Sequence, residues 1–342
     1  MALSMMDQSI VKTLLESVQS QLPDNIRKNT VTFLDKRSQI AVSDYLDILR
    51  EWHKRQAVGR TTVITGPVSV HWSSEDLMQI LWDEAEALQI QIQSHLLESP
   101  YQHREAMARY GKSAIEHLYA TGRLSPRLSC AHCVQVNEHD IELLAETGTS
   151  VIHNASSNLR LHNGIAPIDM MQQHGVNIGV GLDSMGINDD GDMLQEMRLV
   201  SALQRKSEEK ITTINPMQVL EMATINGARA LGMQGEIGSL VPGKKADLTI
   251  LNMGKIENFD LSLEKNQLDQ ILSCCRKDNV DSVIIDGELV FHEGRHLKID
   301  KAELITELLA QVKSTDASQS VTDNMIRAIK PYLYKVLNEQ SS

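Results

Sequence analysis

The sequence predicts an α/β protein, a partial TIM-type (β/α) barrel with about six of the eight strand-helix units in place. Three observations lead there. Strand-like and helix-like segments alternate with short connections, which implies parallel strands with helices packed outside. No glycine-rich phosphate fingerprint follows the first strand, which counts against an open nucleotide-binding sheet. Polar residues gather at the C-terminal ends of several strands, where barrel enzymes assemble their sites.

The units follow in order. "NTVTFLD" (29–35) is a strand leading to the helical "SDYLDILREWHKRQ", and "TTVITGPVSV" leads to "SSEDLMQILWDEAEAL". "IQIQSH" (90–95) precedes the helical region around "REAMARYGKSAIEHLYATG". Then come "RLSCAHC" with "NEHDIELLAETG", "TSVIHN" with "APIDMMQQHG", and "VNIGVGLD" with "GDMLQEMRLVSALQRK". Ser73 and Asn137 stand at helix-cap positions, while Gly122, Gly148 and Gly175 follow helices as stops. Further on, Asn215-Pro216 opens a helix, Gly232 ends another, and Asp286-Gly287 marks a two-residue hairpin turn between strands.

Composition narrows the function classes. The 342-residue chain is 42% hydrophobic and carries a formal net charge of −12. Without clustered Lys and Arg it is no phosphate-tracking nucleic-acid binder. It has no run of about 18 apolar residues to span a membrane, and the start "MALSMMDQSIVKTLLESV" is an amphipathic stretch without the pattern of a secretory signal. The expected location is cytoplasmic. Cys130, Cys133, Cys274 and Cys275 lack framework spacing and read as free thiols, with alternation sending Cys130 and Cys133 to opposite faces. His103, His117, His139 and His174 fall in helical or loop surroundings, with surface placement the default, and "NDDGD" (188–192) reads as a solvated connection or cap.

Alternation puts His95 on one face with Gln91 and Gln93, and Ile90 and Ile92 on the other. His132 ends a second strand with Cys130 beneath it. Asp183 ends a third, with Gly181 and Gly179 on its own face leaving room above. His, His and Asp delivered to one rim are the ligand set of hydrolytic zinc or iron sites, which hold and activate a water. Glu98 stands three residues beyond His95. Asn158, in "HNASSNLRL", either hydrogen-bonds a ligand or holds its own loop. His71, in "VSVHWSS", either lines the pocket or serves as a substitute ligand.

The stretches "SHLLES", "LSCAHCVQVNEHDIELLAETGTSVIHNASSNLRLHNGIAPI", "GVGLDS", "MLQEMRL", "MATINGARALGMQGEIGSLVPGKKADLTIL" and "VDSVIIDGELVFHEGR" resemble, in this order, the metal-dependent amidohydrolase superfamily. The branch includes cytosine deaminase, S-adenosylhomocysteine deaminase and the triazine chlorohydrolases. The resemblance implies that His95 binds the metal and that Glu98 shuttles a proton. It implies that His132 polarises the reacting centre, and that Asp183 binds the metal and accepts the proton of its water. The implied activity is metal-dependent hydrolysis of a carbon-nitrogen bond, deaminase or dechlorinase in type, on a small heterocyclic substrate with one Zn or Fe per site. The implied organisation is a barrel over 1–235, part of a small β layer over 236–300 and a helical tail over 301–342.

The family's first barrel strand ends in His-x-His, and none of the 12 histidines here forms that pair. Counted back from His95, "TTVITGPVSV" is the fourth strand and "NTVTFLD" the third, so the expected chain enters the barrel near its second helix, without the first two strands. Two consequences are expected: weak metal binding through His95 and Asp183, and open sheet edges that pair with a second copy or an intact paralogue. The alternative to a working hydrolase is a catalytically impaired fragment that acts through protein partners.

Overall fold

A computed structural model describes residues 2–5, 41–56, 60–184, 187, 190–204, 214–256, 267–311 and 327. Six parallel strands run side by side in chain order without reversal. They are β1 (Ala2–Met5), β2 (Ile64–Pro67), β3 (Ile92–Leu96), β4 (Leu128–His132), β5 (Ser150–His153) and β6 (Ile178–Val180). A doubly wound sheet would reverse its order at a switch point; this one has none.

Helices return the chain between strands. They are α1 (Val42–Gln56), α2 (Glu75–Leu88), α3 (Pro100–Tyr110), α4 (Ala114–Ala120), α5 (Glu138–Thr147), α6 (Ala155–Arg160), α7 (Ile168–Gln173), α8 (Met193–Leu203), α9 (Pro216–Met222) and α10 (Ile225–Ala230). Leu49, Met78, Leu81, Ile92, Leu96, Ile115, Leu128, Ile141, Leu144 and Val151 form the buried core between these helices and the sheet. The alternate positions, Gln93, His95, Ser129 and Ser150, are polar. The sheet is therefore greasy toward the helices and polar toward the opposite side. Asn177 closes part of the polar side, donating from Nδ2 to Ser150 Oγ and to Asn226 O at the start of α10.

Gly66 shows how closely β2 and β3 approach, since a Cβ there would stand 2.1 Å from Gln93 O. Only glycine fits such a contact.

The second sheet is antiparallel, in the order β10 (Arg295–His296), β9 (Glu288–His292), β8 (Val280–Ile285), β7 (Leu248–Leu251). Asp286 and Gly287 take φ values of +53° and +78°, as the sharp hairpin between β8 and β9 requires. Helix α11 (Gln267–Cys274) lies against α8, where Arg198 donates to Leu272 O and Cys275 O. Residues 301–311 are helical.

Several expectations are corrected. The strand beside β2 is Ala2–Met5, paired Ala2↔Ile64 through Met5↔Pro67; residues 29–35, expected there, lie outside the described residues, as does the tail beyond 311 apart from 327. A four-residue strand carries too little pattern to stand out from the amphipathic stretch around it. Ser73 ends the short 3-10 turn at Val70–Trp72, and Ser74 caps α2 by accepting from Leu77 N. The region 100–120 is two helices, broken where Gly111 turns left-handed. His117 is not at the surface by default: it stacks on Tyr110 at 3.8 Å and bonds Glu75 at 2.7 Å. Cys130 and Cys133 do not part to opposite faces, because Cys133 lies past the strand with φ +46° and its thiol interacts with that of Cys130, which together with burial pushes it up. Asn137 caps α5 as expected, and Asp192 caps α8.

Ser113 links two helices. Its hydroxyl accepts from Glu116 N at 3.0 Å, capping α4, and donates to the fully buried Asp140 of α5. Ser113→Ala removes a cap and strips a buried carboxylate of a donor, a loss of about 2–4 kcal/mol. Ser113→Thr keeps both bonds and should lose less than about 1 kcal/mol. Urea unfolding midpoints check this; equal midpoints for the serine and alanine proteins would contradict it.

Candidate active site

Strand ends and the turns just beyond them bring four predicted residues together. His95 is the fourth residue of β3, where its Nδ1 lies 2.5 Å from Val68 O, and Ser69 bridges to it in the adjacent strand extension. The sequence placed its face correctly: Gln91, Gln93 and His95 are each only partly buried, while Ile92, Ser94 and Leu96 are buried.

His132 reaches the cluster differently. Its register partner on β3 is Leu96, not His95, so plain alternation would carry it with Cys130 toward the helices. A φ of +75° breaks that alternation, and the ring stands parallel to the His95 ring, 5.4 Å away at 20°. Leu97 (φ +47°), Cys133 (φ +46°) and Asp183 (φ +61°) are likewise left-handed. Non-glycine residues in that region carry a conformational cost of about 1–3 kcal/mol and cluster at functional sites.

Hydrogen bonds orient the imidazole and both carboxylates. His132 Nδ1 lies 2.8 Å from Asn158 Oδ1; an amide oxygen can only accept, so Nδ1 carries a proton. That Nε2 is buried and has no hydrogen-bond partner. It faces Glu98 Oε2 at 3.9 Å and Asp183 Oδ2 at 3.8 Å, beyond hydrogen-bond range. Glu98 accepts from Asn163 Nδ2 at 2.9 Å and from Gln102 Nε2 at 3.3 Å. Asp183 accepts from Ser157 Oγ at 2.6 Å and from Ser184 N at 2.7 Å. The two carboxylates are oriented by neutral donors, and no Lys or Arg neutralises them in these contacts.

The glycines below Asp183 do not leave room for a ligand. A Cβ on Gly181 would meet Asn154 Oδ1 at 2.4 Å and Ile152 Cγ2 at 2.8 Å, and one on Gly179 would meet Ile152 Cδ1 at 3.0 Å. The protein's own side chains fill that space.

His71 lies on the 3-10 turn after β2, 2.5 Å through Nδ1 from Ser69 Oγ, and shares a small cavity with His95, Leu97, Gln102 and Tyr110. Burial, with Arg109 and His95 nearby, pushes its imidazole down to about 4. Asn158 sits behind His132, 1% exposed, with Nδ2 unpartnered.

His153 was not singled out in the sequence. It ends β5, is fully buried, and has both ring nitrogens without partners. Burial, with His132 beside it, pushes it down to about 4. Its position as a strand-end histidine was the available signal.

Imidazole nitrogen and carboxylate oxygen suit zinc or iron, and the unpartnered His132 Nε2 between two carboxylates fits a cation in chemistry. The set is incomplete: among the described residues, no three His, Cys, Asp or Glu side chains are grouped closely enough to enclose an ion. No helix of the described residues is long and apolar enough to cross a membrane.

Comparison with known proteins agrees with the geometry. The chain is 34% identical over 284 residues to a 5-methylthioadenosine/S-adenosylhomocysteine deaminase of Syntrophomonas wolfei, covering 81% of this chain and 63% of that protein. It is 35% identical to a 5'-deoxyadenosine deaminase of Methanothermobacter thermautotrophicus, covering 76% of this chain and 60% of that protein. This chain thus spans somewhat over half the length of these relatives. A zinc-bound adenosine deaminase from Xanthomonas campestris superposes with a TM-score of 0.73 at 26% identity, covering 83% of this chain and 62% of the other. An atrazine chlorohydrolase from Arthrobacter aurescens shares the fold, with a TM-score of 0.69 at 20% identity over 84% of this chain and 60% of the other. Residues 5–290 match the model of the amidohydrolase family. Sequence motifs, strand-end geometry and these likenesses together place the chain in the amidohydrolase family.

Proposed function

We propose that this chain takes part in metal-dependent hydrolytic deamination of a small heterocycle, with a purine nucleoside as the substrate class. The observation that carries the reading is the buried, unpartnered His132 Nε2 facing Glu98 and Asp183 across gaps of 3.9 and 3.8 Å. The named activities of the relatives and the zinc in the Xanthomonas protein support it. The unreversed strand order supports a barrel segment as the scaffold.

His95 and Asp183 would hold a divalent cation, zinc or iron. Bound there, the cation would supply Lewis acidity and lower the pKa of a water toward about 7. Glu98 moves the proton to the ring nitrogen and leaving amine, a role suited to a side chain that is 17% exposed and steered by Asn163 and Gln102. His132, its Nδ1 proton held by Asn158, presents Nε2 to the reacting centre. Asp183, anchored by Ser157, takes the proton of the attacking water. Asn158 Nδ2 and His71 complete the site as substrate contacts. With two ligands among the described residues rather than three or four, metal affinity would be low.

Ammonia release from adenosine, 5'-deoxyadenosine and 5-methylthioadenosine, with and without added zinc, tests the function. Metal-dependent release that is lost on chelation is expected, and no release from any of them at saturating zinc would contradict it. Glu98→Gln should cut the rate by about a hundredfold or more while leaving thermal unfolding unchanged.

Metal content gives an independent check. The chain purified without added metal should carry well under one equivalent of zinc or iron. A full equivalent that survives dialysis against chelator would contradict the two-ligand account.

A further inference from the structure

Glu196 lies outside the cluster, on the first turn of α8, and is 1% exposed. Its Oε1 accepts from Ser156 N at 2.9 Å, and the Ala155 amide also donates to it. These amides open α6, a helix whose N-cap residue, Asn154, makes no side-chain cap bond. The first N–H groups of a helix need acceptors, and here a carboxylate from another helix supplies them. Burial raises the Glu196 carboxyl above its ordinary value, and the Ser156 amide, the Ser156 side chain and the Ala155 amide offset this only in part.

The next two residues of α6 touch the site. Ser157 Oγ donates to Asp183 Oδ2 at 2.6 Å, and Asn158 Oδ1 accepts from His132 Nδ1 at 2.8 Å. A six-residue helix has no independent stability to set its own position. Helix α8 is firmly seated: Asp192 caps it through Oδ1 and receives Lys277 N on Oδ2, and Arg198 ties it to α11.

We propose that Glu196 is a positioning residue: by capping α6 from α8, it sets Ser157 against Asp183 and Asn158 against His132, and so fixes the orientation of both site groups from behind. Nothing touches substrate in this role. The proposal deepens the hydrolase reading but concerns geometry that exists without turnover.

The test uses the full chain, labelled with 15N at histidine, as wild type, Glu196→Gln and Glu196→Ala. The wild type should show His132 in the Nδ1-protonated form. In Glu196→Ala the His132 signals should move toward the average of the two tautomers. Amide exchange at 155–158 should quicken about tenfold or more, with protection in β3 and β4 retained. Glu196→Gln keeps an acceptor oxygen and should hold exchange within about threefold of wild type. Unchanged His132 signals and exchange in Glu196→Ala would overturn the proposal, and so would a uniform loss of protection across the sheet in both variants, which marks a general stabiliser. Neither readout needs activity, so failure of the deaminase assay leaves this test standing. Where deamination is measured, Glu196→Ala should lower kcat about tenfold with KM within about threefold.

Discussion

One ring holds the site together. His132 is 1% exposed, with one nitrogen bound to Asn158 and the other bare. A buried polar atom without a partner is costly, by about 1–3 kcal/mol. Glu98 and Asp183 are aimed at the same point from β3 and β6, the strands to either side of the β4–β5 pair. Take away the left-handed turn at His132, and its ring would no longer face the two carboxylates.

The scaffold explains why these groups can be held unneutralised. Parallel strands in chain order bring their C-terminal ends to one rim, and the core beneath is aliphatic and packed by helices. Orientation then comes from neutral groups: Asn163, Gln102 and Ser157 donate to the carboxylates, and Asn158 accepts from His132. Neutral donors steer without cancelling charge. The carboxylates therefore keep their capacity to attract a cation and to move protons, which the proposed chemistry uses.

Much of this was legible in the residues. Alternation in "IQIQSH" placed His95 correctly, because β3 is regular and its two faces differ in burial. Asn137 and Gly148 marked the ends of α5, since capping chemistry is local. The strand at Ala2–Met5 was not legible, because its evidence is the pairing with β2 and not its own four residues. His132 was assigned to the site for a reason that fails: past the last regular pair the strand turns left-handed, and period-two reasoning stops there. His153 was missed although it ends β5 just as His132 ends β4. The glycines at 179 and 181 were misread, because an open face on paper is filled by Ile152 and Asn154 in space. Local signals survive folding well; the direction of a side chain at a strand's end is decided by backbone torsions that composition does not announce.

The central proposal is that His95 and Asp183 hold one cation at the strand ends, beside His132 and Glu98. Crystals of the chain grown with excess zinc and measured on both sides of the zinc absorption edge test it most directly. The account predicts an anomalous peak in direct contact with His95 and Asp183. Zinc elsewhere on the molecule, with that locus empty at saturating metal, would contradict it.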